Sequence, residues 1–418
     1  MNQTQQHSIA IEAIKKKLIG HELHYREIYA VMDQIASERL GDVLTTYFAA
    51  AGFHEGFSPE ELYYLTKAMV ETGQQLKFPG IVADKHSIGG IAGTRTTMIV
   101  VPIIVAAGFT IPKTSSRAIT SPAGTADVME VLAQVNFTTE QVKKIVHDVG
   151  GCIIWGGHLG IAPADDVIIR VEEPLSFESF DKIIVSIMAK KVATSTNHLV
   201  IDMPIGRTMK IKHEIDAEIV KKKFEHIAGK FGIHIHVDIN KTLEPAGYGV
   251  GPALEAIDVM KVLEQDQSRP LDLENRSIRL AGMLLNLCYK TTKEKITGKE
   301  EASKLLTNGK ALEAFKNIIK AQYGNPHITW KSIGTARHTK KVFSDKSGTI
   351  RGINNYNLNA VAKILGSPDD KKAGIELHVK QKDYMTTKRP LMTFHSSNEL
   401  RLSEAIETVV SFPIYTIE

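Results

Sequence analysis

Two stretches of this 418-residue chain gather the residue types that hold an anion. The first reads Lys85-His86-Ser87-Ile88-Gly89-Gly90-Ile91-Ala92-Gly93-Thr94-Arg95-Thr96-Thr97. The second reads Lys113-Thr114-Ser115-Ser116-Arg117-Ala118-Ile119-Thr120-Ser121 and runs on through Gly124 to Thr125. Each follows a short extended-looking run and precedes an apolar, helix-length run, so each is expected where a strand hands over to a helix. Backbone N–H groups at such a start carry partial positive charge, and glycines let an anion approach. Lysine, arginine and hydroxyls add donors, and phosphate is the simplest ligand that uses them all. Neither loop is a Walker A loop or a dinucleotide fingerprint. The glycines alone could be turn residues. Two donor-rich loops one strand–helix unit apart favour phosphate, because unpaired donors between buried elements are costly.

Other residues offer chemistry at lower specificity. A lone histidine is more often structural, but His86, between Lys85 and Ser87, could donate a proton or act as a positive partner at a phosphate site. Ser186 and Lys190 are four apart in a helical run and share a face, fit to hydrogen-bond a polar ring or simply to meet solvent. Lys191 falls on another face and reads as solvated. Glu178 lies near that helix start, where its ordinary job is to complement the dipole. His234 and His236 point to one side of a strand without a convincing third ligand, so no metal site is expected. Trp155 and His158 suggest no mechanism.

These groups need elements to hold them. Residues 8–76 read as helices, with Ile9, Ile11, Ile14 and Leu18 as one face and Ser58-Pro59-Glu60-Glu61 as a capping box. From 81 to 160 strand-like and helical runs alternate, the rhythm of a parallel α/β sheet whose ligands sit at strand carboxyl ends. Residues 161–195 turn helical again, the α/β rhythm returns, and residues 276–323 are strongly helical. Beyond about 345 the texture becomes short strands with one helix, NLNAVAKIL. The expected fold class is α/β. A discontinuous helical domain takes residues 1–77 and 162–196, and a larger α/β phosphate-binding domain takes 78–161 and 197–344. A β-rich α+β domain takes 345–418.

Composition narrows the partners. A formal charge of +4 with 43% hydrophobic residues suits an anionic small molecule and gives no special reason for nucleic acid. Only Cys152 and Cys288 are present, far apart in apolar runs, which points to a reducing compartment. No signal-peptide layout opens the chain, and the run 98–109 is too short for a bilayer. The expectation is a cytoplasmic protein without membrane contact.

Several blocks taken together resemble the thymidine/pyrimidine-nucleoside phosphorylase family: Asp84-Lys85-His86-Ser87-Ile88-Gly89-Gly90, Ser115-Ser116-Arg117 with Gly124-Thr125, Ala162-Pro163-Ala164-Asp165, Ser186-Ile187-Met188-Ala189-Lys190 and Gly251-Pro252-Ala253-Leu254-Glu255. The resemblance covers nearly the whole chain in order. It implies a dimeric pentosyltransferase without redox cofactor, with inorganic phosphate as co-substrate attacking C1′ of a nucleoside. By position, Lys85, Ser87, Thr97, Ser115 and Thr125 would hold phosphate, and His86 would protonate or stabilise the leaving base. Arg170, Ser186 and Lys190 would face the base, bound between helical and α/β domains that close on it. The loop spellings look like the AMP phosphorylase subgroup. There Gly90, Ser116, Arg117, Ala118, Ile119, Thr120, Ser121, Thr125, Ser186 and Lys210 would match nucleotide-binding positions. Glu178 would stand where an aspartate donates a proton, and Arg95 and Arg117 would suit a 5′-phosphate. Two rivals are a magnesium-dependent phosphoribosyltransferase, for which only Asp84 and Asp127 lie near the first loop, and a non-catalytic nucleotide-binding regulator.

Overall fold

The structure is a computed structural model describing residues 3–89, 91–118, 121–172 and 179–418. In chain order, helices α1 (Gln3–Leu18), α2 (Tyr25–Ala36), α3 (Gly41–Glu55) and α4 (Pro59–Glu71) lead into strand β1 (Ala83–Ser87). Then come α5 (Thr97–Ala106), β2 (Ile111–Ser115), α6 (Thr125–Met129), α7 (Thr139–Val149) and β3 (Gly151–Trp155). Helices α8 (Pro163–Glu172) and α9 (Phe180–Ala193) precede β4 (His198–Ile205), α10 (Glu214–Lys230), β5 (His234–Lys241), β6 (Gly249–Val250) and α11 (Pro252–Leu263). Helices α12 (Leu271–Thr292), α13 (Gly298–Thr307) and α14 (Lys310–Ala321) follow. The chain closes with β7 (His338–Phe343), β8 (Gly348–Ile353), α15 (Asn355–Leu365), β9 (Gly374–Leu377), β10 (Tyr384–Met385), β11 (Pro390–Ser396), α16 (Glu399–Ser411) and β12 (Tyr415–Ile417).

Two compact units result. The first comprises Met1–Asp84, Gly156–Leu199 and Glu218–Ile235; the second comprises Lys85–Trp155, Val200–Ala217 and His236–Glu418. In the first unit the buried side of α1 is Ala10, Ala13, Ile14 and Lys17, and Leu18 is exposed, a rotation from the face read off the isoleucines. The cause is Lys17, whose buried ammonium lies 3.0 Å from the Glu61 carboxylate. Glu61 also closes the predicted capping box of α4, accepting the Ser58 N–H at 2.8 Å while Ser58 Oγ accepts the Glu61 N–H at 3.3 Å. One carboxylate thereby caps a helix and fixes the roll of another.

In the second unit α5 is apolar all round and buried from Thr97 to Ile104, so only its start can meet a ligand. Strands β2 and β3 pair in parallel from Ile111 with Gly151 to Ser115 with Trp155. The expected single rhythm divides, because β1, β4 and β5 form a separate three-stranded sheet with β4 central. The strands beyond α14, joined by the earlier β6, form two antiparallel sheets, ordered β10-β8-β12 and β6-β9-β11-β7. They enclose a core that includes Val250, Leu358, Val361, Ile375 and Phe394. This region holds two helices rather than one. The missed helix, α16, is capped by Asn398 Oδ1, which accepts the N–H groups of Leu400 and Arg401.

Candidate active site

On β1 the pleat places Lys85 and Ser87 on one face and His86 on the other. Lys85 is 1% exposed, and its ammonium donates to Ser87 Oγ at 2.5 Å, Thr96 Oγ1 at 2.7 Å and Thr97 Oγ1 at 3.4 Å. Thr96 and Thr97 open α5, so the lysine lies against a helix start amid three hydroxyls. Thr96 was not among the expected residues, although the Thr-Arg-Thr-Thr run contains it. His86, on the opposite face, is half-buried.

The second loop is built around Asp127, the third residue of α6. Its Oδ2 accepts the N–H groups of Ala118 at 2.7 Å and Gly124 at 2.9 Å, and its Oδ1 accepts from Arg117 Nη1 at 3.0 Å. Gly124 is required there, because a Cβ would fall 2.4 Å from the Ser116 oxygen and the Arg117 carbonyl carbon. Arg117 also makes two 2.7 Å bonds to Glu130 and lies over the Trp155 ring, 5.0 Å from its centroid. Its hydrogen bonds hold the Glu130 carboxyl down at about 2. The guanidinium expected at a ligand thus braces the loop, and Trp155 gains a role the sequence did not suggest. Arg95 behaves alike: it donates to Glu255 Oε2 at 2.8 Å, Thr125 Oγ1 at 3.1 Å and the Ala123 carbonyl at 2.9 Å. Through Arg95, Thr125 of the second loop is tied beside Thr96 of the first. The Ser115 hydroxyl is buried with no partner among the described residues, as a ligand-binding group would be. Ser116 is exposed, Ser121 donates to the Ala123 carbonyl at 3.0 Å, and Lys210 is half-buried in the turn after β4.

The cradle has a second layer. Asp202 on β4 is 1% exposed; its Oδ2 accepts from Ser87 Oγ at 2.7 Å and lies 3.8 Å from the Lys85 ammonium. Its Oδ1 accepts from Arg276 at 2.8 Å and Asn240 at 2.9 Å. Burial alone would raise this carboxyl, but the charges of Arg276 and Lys85 and the bonds from Ser87 and Asn240 outweigh it and hold it at about 2. Sequence reasoning missed Asp202, Asn240 and Arg276. The available signal was an aspartate inside the apolar run Leu199-Val200-Ile201-Asp202-Met203, where a charge demands partners.

The first unit carries its own polar group. Asp165, 0% exposed at the start of α8, accepts through Oδ2 from Ser186 Oγ at 2.7 Å and from Lys190 Nζ at 2.6 Å. Burial works against charge on Lys190, but the neighbouring carboxylate prevails and raises its pKa, so it stays an ammonium. The other oxygen, Asp165 Oδ1, is buried without a partner among the described residues. Arg170 stands apart on α8, exposed and paired at 3.0 Å with Glu38 and Asp42. Lys191, expected in solvent, is 1% exposed and bound at 2.5 Å to the buried Asp84. The more exposed of the two lysines is Lys190, the reverse of a guess that had no tertiary contact to fix the helix roll. Gly90, Ile119, Thr120 and Glu178 lie outside the described residues. Among the described residues no cluster of three or more His, Cys, Asp or Glu could hold a metal, and no helix is long and apolar enough to cross a membrane.

The second unit thus carries a buried lysine–hydroxyl cradle at a helix start, and the first carries a serine–lysine–aspartate group on helices. The chain belongs to the glycosyl transferase family whose helical bundle domain matches residues 11–73 and whose a/b domain matches residues 79–312. It is a pentosyltransferase. A "Putative thymidine phosphorylase" of Legionella pneumophila (strain Corby) is 40% identical over 95% of this chain and 76% of its own length. The AMP phosphorylase of Thermofilum pendens is 41% identical over 96% of this chain and 77% of its own. AMP phosphorylase 1 of Archaeoglobus fulgidus is 38% identical over 95% and 78%. Anthranilate phosphoribosyltransferase from Thermus thermophilus shares the fold, with a TM-score of 0.63 over 75% of this chain and 99% of its own at 16% identity.

Proposed function

We propose that the protein catalyses reversible phosphorolysis of a nucleoside, giving free base and pentose 1-phosphate, with thymidine as the first substrate to try. The carrying observation is Lys85, an ammonium almost wholly buried yet ringed by Ser87, Thr96 and Thr97. In the reaction a phosphate oxygen held by Lys85, Thr97, Ser115 and Thr125 attacks C1′, with Ser87, whose proton goes to Asp202, aligning the Lys85 ammonium. The C1′–N bond breaks, its electron pair leaves with the base, and His86 supplies the proton or positive charge that the leaving base needs. Lys190 offers a donor for a base carbonyl and Ser186 an acceptor for a ring N–H, with Asp165 orienting both. Inorganic phosphate is the co-substrate, and no redox cofactor or metal enters these steps. In this reading the enzyme is a cytoplasmic homodimer of nucleoside salvage.

A second reading, phosphorolysis of nucleoside 5′-monophosphates, draws on the relatives named AMP phosphorylase. The bonds of Arg95 to Glu255 and of Arg117 to Glu130 weigh against it, since both guanidinium groups are already engaged by carboxylates. The deciding assay is phosphate-dependent release of free base from thymidine, uridine, AMP and CMP. Release from nucleosides alone supports the first reading. Release from monophosphates alone moves the assignment to the second, with Lys210 the next residue to change. Release from none would favour a non-catalytic nucleotide-binding regulator.

A further inference from the structure

Asp202 creates an electrostatic problem for a phosphate site. Ser87 has one hydroxyl proton and gives it to Asp202, so its oxygen accepts from Lys85. The carboxylate thus fixes the direction of the hydrogen bonds in the cradle. It also places a negative charge 3.8 Å from the cation meant for phosphate. Left alone, Lys85 and Asp202 would nearly cancel, and an incoming dianion would meet no net attraction.

Arg276 on α12 changes that balance. Its Nη2 binds Asp202 Oδ1 at 2.8 Å while Nη1 binds Thr242 Oγ1 at 3.0 Å, so the guanidinium is clamped on the carboxylate oxygen that Ser87 and Lys85 do not face. Asn240 links onward to Asp238, whose charge is matched by Arg279 at 2.6 Å. Among the described residues the connected network therefore holds three cations, Lys85, Arg276 and Arg279, against two carboxylates, Asp202 and Asp238. Its excess is one positive charge, and removing Arg276 abolishes it.

We propose that Asp202 and Arg276 act as a charge-balanced positioning pair for the phosphate cradle. Asp202 orients Lys85 and Ser87, and Arg276 offsets the carboxylate so that the cradle still attracts phosphate. This rests on the phosphate reading of Lys85 given above. Neither residue is expected to touch phosphate; both work through Lys85 and Ser87.

A charge cycle tests the pair, read by titration of the full-length protein with inorganic phosphate at constant ionic strength and by nucleoside kinetics. Arg276→Met should weaken phosphate binding about tenfold or more and leave the KM for nucleoside within about twofold. Adding Asp202→Asn to it removes the uncompensated carboxylate, and the double variant should return to within about threefold of wild-type phosphate affinity. A purely structural arginine would give the opposite pattern, with the double variant no better than the single, and that result overturns the proposal. So does a folded Arg276→Met protein with wild-type phosphate affinity. Where Arg276→Met does not fold, Arg276→Gln keeps an amide donor for Asp202, removes the charge and carries the same expectation. A wild-type protein that neither binds phosphate nor releases base would instead remove the functional reading beneath the proposal, whereas wild-type binding with indifferent variants removes the proposal alone.

Discussion

Lys191 and Asp84 show how buried charge behaves in this chain. The two are 1% and 0% exposed and 2.5 Å apart. The attraction between such a pair roughly offsets the cost of taking both ions from water, so the intact pair adds little net stability. Half of it is another matter. Lys191→Met removes the buried cation 2.5 Å from the aspartate and should destabilise the protein by about 3–5 kcal/mol in urea unfolding, with Asp84→Asn added to it recovering much of the loss. Carboxylates also set pH dependence, with two opposite signs. Asp202 is held at about 2, below its ordinary 3.8, so its contribution is present above 3.8 and lost as pH falls toward 2. Asp258 is buried, and burial pushes it up to about 6 despite the N–H groups of Tyr248 and Gly249 that it accepts. Between pH 3.8 and 6 the folded chain keeps a proton that the unfolded chain has released, so stability falls as pH rises and levels off above 6. That window is worth about 3 kcal/mol. Asp258→Asn should lack this decline when unfolding is compared at about pH 4 and about pH 7, and an equal decline in both proteins would assign it elsewhere. Ser186 and Lys190 were legible because helical spacing is local. Asp165, Asp202, Asn240, Arg276 and the burial of Lys191 were not, because contacts far apart in sequence create each of them.

At the scale of elements, local chemistry carried the reading where the signal was self-contained. The box at Ser58 and Glu61 was visible in four residues. The Asn398 cap was equally visible but was overlooked beside β-branched residues that read as strand, although Leu402 and Ala405 were already placed to bury one helix face. The roll of α1 was out of reach, because a lysine took the buried position for the sake of Glu61. The second loop combines both situations. Its glycine and hydroxyls announced a turn, while the job of Arg117 depended on Glu130 and Trp155. Asp127 holds this turn closed by two backbone N–H groups, and Gly124 lets the strands of the turn approach. Gly124→Ala would press a methyl onto backbone atoms 2.4 Å away, which cannot swing aside as a side chain could. The variant should lose about 2–3 kcal/mol of stability and weaken phosphate binding, since Ser115 and Thr125 flank the turn. Calorimetric melting with and without phosphate reads both effects. Wild-type values for both would mean that the loop does not hold the ligand.

At the scale of the whole molecule, the C-terminal region looked separable from its change of texture, yet in the second unit it is bonded to both donor-rich loops and to the turn at residues 243–252. Asn355 Oδ1 accepts the Ala92 N–H of the first loop at 3.1 Å. Lys371 reaches Asp127 at 3.1 Å and Glu130 at 3.0 Å in the second. Lys380 donates to the Pro245 and Gly247 carbonyls, and the Gln381 N–H bonds to Glu244 at 2.7 Å, closing the turn at residues 243–252, which carries Gly247, Gly249 and Gly251. Strand β6 in that turn has its sheet partner in β9, with Gly249 opposite Glu376 and Val250 opposite Ile375. Composition could not reveal this, because a chain's texture says what an element is and not what it touches. Removing residues 345–418 would expose Ala92 and Val250, now 0% exposed, and leave β6 unpaired. Unpaired backbone groups and newly exposed apolar surface favour aggregation over an independent fold. A chain ending at residue 344 should therefore be poorly soluble, with no thermal shift on adding phosphate. Lys371→Ala, which cuts one stitch, should stay folded but bind phosphate more weakly. If the shortened chain were soluble and bound phosphate like the intact protein, the stitches would be incidental and the cradle would owe its shape to the α/β elements alone.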